Sequence, residues 1–267
     1  AFAYGTSYFS AVVFIGYAGQ FGWSYGVSAA WIGIGNAVIG SALAWIVLGR
    51  RTRIMSNHLN AKTMPEFFEK RFNSKGLKIA SALIVFIFLI PYTASVYNGL
   101  SRLFNMAFNL NSDSSYKIII IAMAIITAIY VILGGYTATA INDFIQGIIM
   151  LFGIVAVIAA VIHSKGGFMS ALQGLANVSD PAVSDTPGIF ASFFGPDPFN
   201  LLCVVILTSL GTWGLPQMVQ KFYAIDNEAS IQKGTVISTI FALIVSGLSL
   251  IHISEPTRPE PISYAVF

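Results

Sequence analysis

Seven stretches of this chain run for many residues with almost no charge, and that pattern leaves few folds open. A helix rises 1.5 Å per residue, so about 20 apolar residues are needed to cross a hydrocarbon layer. The stretches are residues 1–19, 29–48, 77–103, 116–133, 144–163, 198–219 and a last one from about Gly234 to Gly247. The last is too short to cross, and Pro91 marks an expected kink in the third. Charged residues make up only 9% of the chain, against roughly 25% in soluble domains. A water-soluble core is therefore excluded. The expected fold is an all-α integral membrane bundle of about six full spans plus a truncated seventh.

The charges divide unevenly across those spans. Arg50, Arg51, Arg53, Lys62, Lys70, Arg71, Lys75, Lys78, Lys221 and Lys233 fall on one side. The other side carries Arg102, Lys117 and Lys165, with Asp113, Asp180, Asp185 and Asp197. The positive-inside rule places the basic connection, residues 50–78, in the cytoplasm of a multi-pass plasma-membrane protein. Within it, Thr63 to Phe72 reads as a short amphipathic helix on the inner surface, with Pro65 just inside a Thr cap. Residues 164–197, rich in Gly, Ser, Asp and Pro, read as an outer loop. Aromatic residues among the basic ones suggest nucleic acid in principle, but a loop between two spans faces lipid, so no nucleic-acid partner is expected.

The tail has another origin. Residues 248–258 (LSLIHISEPTR) and 262–267 (ISYAVF) resemble, in one register, the translation of a transposase-type sequencing-library adapter. Residues 259–261 fill the place of its index. The expectation is that 248–267 is not native and that the chain is an internal piece of a longer protein.

Catalytic and phosphate-binding motifs are absent from the sequence: there is no Ser-His-Asp set, HExxH or GxxxxGK, so an enzyme or ATP-driven pump is not expected in this piece. One Cys and three scattered His offer no metal cluster. The informative charge is Asp143, between the fourth and fifth spans. A carboxylate there can attract a cation, and it can equally cap the fifth span; the two roles are compatible. The first and sixth spans both mix small, polar and helix-weakening residues into apolar runs: Gly5, Thr6, Ser7, Ser10, Gly16 and Gly19, then Thr208, Ser209, Gly211, Thr212, Gly214 and Pro216. Either set suits close helix packing. Their five-span offset suits a transporter of two inverted repeats, in which matching helices unwind and expose backbone carbonyls to an ion. Tyr8, Trp31 and Trp213 are candidates to pack on a small solute, or ordinary core and interface aromatics.

At four motifs the chain resembles the sodium:solute symporter family: GTSYFSAVVFIGYAG from Gly5, TMPEFFEKRFN ending at Asn73, GGYTATAINDFIQG from Gly134, and GTWGLPQMVQKFYA followed by KG at Lys233. The resemblance implies a partial LeuT-like inverted-repeat bundle. Its first five-helix repeat would be residues 1–163, and its second would begin at 198–247. It implies sodium (Na+) as coupling ion, held by the backbone carbonyls of Thr6 and Phe9, with Asp143 on the sodium path. It places Ser7, Tyr8, Ser10, Trp31, Ser209, Thr212 and Trp213 at pocket or gate positions. Sodium-coupled symport of a small organic solute (amino acid, carboxylate or vitamin-like) by alternating access follows, with no organic cofactor. Departures from the family pattern are Ile141-Asn142 before Asp143, Val12-Val13 against a sugar, and Tyr8-Phe9 against proline. The membrane input module of a sensor kinase stays open as an alternative. A channel-like bundle is disfavoured because the third to fifth spans are so apolar.

Overall fold

The computed structural model of the chain describes residues 19–110, 112–164, 166–178, 184, 186–225 and 229–249. The first apolar stretch up to residue 18 lies outside the described residues, and with it Thr6, Ser7, Tyr8, Phe9 and Ser10; so does the tail from 250 onward. The described residues are helical throughout their long elements, with no β-strand.

Helix α1 spans Phe21–His58, longer than the apolar stretch 29–48 because its helical bonding continues through the basic run Arg50–His58. It is α-helical up to Tyr25, passes through a 3-10 turn at Gly26–Ala29, and is π-helical over Asn36–Leu43 and Trp45–Gly49. Such widened turns are rare and concentrate at functional sites. Helix α2, Met64–Phe72, starts as its sequence dictates. Thr63 is extended, its hydroxyl accepts the Glu66 N–H at 3.4 Å, and the Glu66 carboxylate accepts the Lys62 N–H at 3.0 Å. Asn73, at φ 49°, ends it in the left-handed conformation. Helix α3 is Lys75–Ala107 and continues through Pro91.

The fourth and fifth apolar stretches arrive as one rod, α4, Asp113–Ser164. The connection expected to separate them is itself helical. The chain changes direction at one residue, Gly135 (φ 55°, ψ −150°), a conformation open only to glycine. Helix α5, Phe168–Ala176, and a 3-10 turn at Ile189–Ala191 lie in the expected outer loop. Helix α6, Pro198–Gly211, is N-capped by Asp197, whose carboxylate accepts the Asn200 N–H at 3.0 Å. A 3-10 turn, Thr212–Gly214, and extended Leu215 then lead into α7, Pro216–Tyr223. The last helix is α8, Ala229–Ser249.

Three described helices are long and apolar enough to cross a membrane, and the bent pair α6–α7 passes the same test only when its two halves are counted as one span. Helix α1 is the hub: α6 and α8 pack along it and α8 also meets α4, while α2 and α7 gather at the end bearing Arg50–His58. Two apolar clusters form. One joins Tyr25, Ala29 and Ile32 to Leu201 and Val205. The other joins Trp45 to Met218, Phe222, Ile231, Phe241 and Val245. Trp45 and Phe222 meet edge to face at 5.1 Å, a pairing worth about 0.5–1.5 kcal/mol beyond the burial itself.

Candidate functional site

A polar layer lies between those two clusters, where α6 breaks. The break follows from local chemistry. Gly211 and Gly214 weaken the helix, and Pro216 removes a donor and pushes Leu215 into extended backbone (φ −65°, ψ 125°). The two halves meet at 52°.

On α6 the Ser209 hydroxyl is fully buried and donates to the Asn36 amide oxygen of α1 at 3.0 Å. One turn on, the Trp213 indole N–H donates to the Ile39 carbonyl at 3.1 Å. The Thr212 hydroxyl turns back to the Ser209 carbonyl at 3.0 Å, and Thr208 does the same to Val204 at 2.8 Å. On the other side of α1, Ser41 donates to Ser238 of α8 at 3.1 Å, both buried. Asn36, Ile39 and Ser41 all belong to the first π-helical stretch. Helix α6 reaches it because α1 carries Gly35 there: a Cβ would come within 2.3 Å of Val205. Among the described residues, the Gln217 amide oxygen, in the first turn of α7, is buried and has no hydrogen-bond partner, and the same holds for the Thr239 hydroxyl of α8. Buried acceptors of this kind cost about 1–3 kcal/mol each unless a ligand completes them. Oxygen-rich, uncharged surroundings suit an alkali cation or the polar groups of a small solute. Among the described residues no three His, Cys, Asp or Glu converge.

Of the expected site residues, Ser209, Thr212 and Trp213 thus come together at the break. Trp31 lies apart from them, five residues or about 7 Å of helix rise before Asn36. Its indole N–H donates to the Phe193 carbonyl at 3.1 Å, and the two rings meet edge to face at 4.9 Å. The strap that bears Phe193, from the connection before α6, fits the start of α1 closely. A Cβ on Gly26 would meet the Phe190 carbonyl oxygen, and one on Gly195 the Ser28 hydroxyl, each at 2.1 Å.

Asp143 lies inside α4, eight residues past the Gly135 turn, and so is not the cap of a helix. The helix had already begun in the polar stretch that separates the two apolar runs. The Asp143 carboxylate instead accepts from the Lys221 ammonium of α7 at 2.7 Å, and that ammonium also lies 5.8 Å from the centre of the Tyr136 ring. Nearby, Arg53 donates to the Tyr223 carbonyl at 2.9 Å, Gln220 to the Lys62 carbonyl at 3.1 Å, and Phe67 stacks on Tyr223 at 6.2 Å. Residues from the basic connection, from the α4 turn and from α7 therefore share one end of the bundle, while Trp31 and Phe193 mark the other. The positive-inside count placed the same segments on common sides.

Sequence reading missed Asn36, Ser41 and Lys221. Asn36 had a signal: it is a lone amide in the apolar run WIGIGNAVIG, and polar groups inside spans are costly and functional by default. Lys221 had none, because nothing local pairs it with a residue 78 positions away.

The model of the sodium:solute symporter family matches residues 1–255. Among curated proteins, the chain is 30% identical over 224 residues to a sodium/proline symporter of Escherichia coli (strain K12), covering 82% of this chain and 42% of that protein. It is 32% identical over 224 residues to the sodium/proline symporter of Staphylococcus aureus, covering 79% and 39%. The chain thus spans less than half the length of the curated relatives it matches.

Proposed function

The chain belongs to the sodium:solute symporter family, and from that membership we propose that the full-length protein imports a small organic solute with sodium by alternating access. The observation that carries this reading is the bend of α6–α7 at the polar layer, where Ser209 and Trp213 reach the π-helical stretch of α1. A hard cation takes uncharged oxygens readily, so the Thr6 and Phe9 carbonyls hold sodium and Asp143 attracts it along its path. Ser7, Tyr8, Ser10, Ser209, Thr212 and Trp213 contact the solute, and Trp31 with Phe193 closes the outer side. The solute is an amino acid, carboxylate or vitamin-like molecule. Proline is the first to try, since the relatives carry that name, with other amino acids tested beside it because Tyr8-Phe9 departs from the proline-type pair.

Residues 1–163 make a first five-helix repeat and residues 198–247 open a second, in a LeuT-like plan. The protein lies in the plasma membrane with residues 50–78 on the cytoplasmic side, where their basic charge meets anionic lipid. Coupling is reciprocal: if sodium raises solute affinity by some factor, solute raises sodium affinity by the same factor. The test is uptake by the full-length protein in liposomes. Uptake driven by an inward sodium gradient and lost when choline replaces sodium is the expected result; uptake indifferent to that replacement overturns the reading.

A further inference from the structure

The Lys221–Asp143 pair does more than join two helices. Its partners lie on elements of different kinds. Asp143 sits on the long α4, and Lys221 sits on α7, the short helix beyond the 52° bend. Both side chains are largely enclosed, 12% exposed for Lys221 and 27% for Asp143. The ammonium has two cation-attracting surfaces around it, the Asp143 carboxylate at 2.7 Å and the Tyr136 ring at 5.8 Å. A carboxylate beside an aromatic face is a seat for a monovalent cation, and in this conformation the protein's own ammonium fills it.

We infer that Lys221 is a tethered cation that competes with sodium for the Asp143 seat, so that sodium leaving the core occupies Asp143 only when α7 withdraws. The inference rests on the symport reading and deepens it. Two like charges cannot share one carboxylate in a largely enclosed site without strong repulsion. Ion arrival and α7 closure are therefore mutually exclusive, and closure by Lys221 expels the ion. The other contacts at this end (Arg53 to the Tyr223 carbonyl, Gln220 to the Lys62 carbonyl) hold α7 without touching the carboxylate, so removing the ammonium leaves the helix anchored. Lys221 is a positioning residue acting through Asp143.

The test uses the full-length protein in liposomes, with sodium itself as the probe. Sodium is titrated on the face that carries the Lys221 end, and its half-saturating concentration is read separately from the maximal rate. Lys221→Gln is expected to lower half-saturating sodium about tenfold, because the competitor is gone, and to slow the maximal rate because the ion is released poorly. Lys221→Arg keeps a charged competitor and should stay within about twofold of the parent in half-saturation. A Lys221→Gln protein with unchanged half-saturation, whatever its rate, overturns the inference. Should Lys221→Gln fail to reach the membrane, Lys221→Arg decides: a tenfold change in its half-saturation also overturns it. If the parent protein shows no sodium dependence at all, it is the symport reading that fails.

Discussion

The Ser209 hydroxyl on α6 donates to the Asn36 amide oxygen on α1 at 3.0 Å, with Ser209 fully buried and Asn36 6% exposed. This bond ties the last regular turn before the helix break to the π-helical stretch of α1. Ser209→Ala removes one donor from Asn36. Hydrogen bonds between membrane helices are worth roughly 0.5–2 kcal/mol. The expected outcome is a loss of that size in unfolding free energy in detergent and a severalfold rise in the solute KM. Equal stability and KM in parent and variant would count against a role at the break.

Trp213 fixes the other side of the break through the Ile39 carbonyl. Trp213→Phe keeps an aromatic ring but deletes the N–H together with the five-membered part of the indole. If the bond sets the bend, the variant should bind solute more weakly by about three- to tenfold, at about 1 kcal/mol per hydrogen bond. Trp213→Ala should lose more, because packing goes as well. Equilibrium binding of radiolabelled solute to the purified variants measures both.

The strap that bears Phe193 has a seat with no spare volume. Gly26 (φ 60°) and Gly195 (φ 67°) combine a left-handed backbone with no room for a Cβ, which would clash with the Phe190 carbonyl and the Ser28 hydroxyl respectively. Alanine at either position should cost about 2 kcal/mol or more, from the backbone and the clash together. Gly153→Ala is the control, since a Cβ there meets nothing within 4 Å among the described residues and alanine favours a helix interior by about 1 kcal/mol. Thermal unfolding of the three variants in detergent gives the comparison. A Gly195→Ala protein as stable as the control would mean that the strap does not dock as described.

Glu66 sets a pH dependence at α2. The backbone N–H of Lys62 is the main cause that holds its carboxyl below the ordinary value of 4.5, with Lys70 and Lys78 adding to it. A depressed folded-state pKa contributes stability above the unfolded value and loses it as pH falls through the folded one. Protection of the Lys62 amide from hydrogen exchange should therefore be constant at neutral pH and fall away below about pH 4. Glu66→Gln should remove that acid step. Protection that declines instead between pH 6 and 8 would contradict the assignment.

Much of this architecture is legible one residue at a time. Apolar runs of spanning length give α1, α3 and the two halves of α4, because lipid demands an unbroken apolar surface and internally bonded backbone. Thr63, Pro65 and Glu66 give the start of α2, because capping is decided within four residues. Gly211, Gly214 and Pro216 give the break after α6, because they act on their own backbone. The turn in α4 was misread: the polar stretch 136–143 looks like a connection, yet it is helical, and the chain bends at Gly135 alone.

What the sequence determined by itself is therefore the local part: that the chain is a bundle of apolar helices, where those helices weaken, and that the basic residues of the 50–78 connection and α7 belong together. Only the tertiary structure decided which polar groups meet. Asn36 finds Ser209 across 173 positions, Trp31 turns to Phe193 rather than to the break, and Asp143 faces Lys221 rather than capping a helix. Propensity and capping act over a few neighbouring residues, whereas an ion pair or a buried hydrogen bond depends on where two distant helices come to rest.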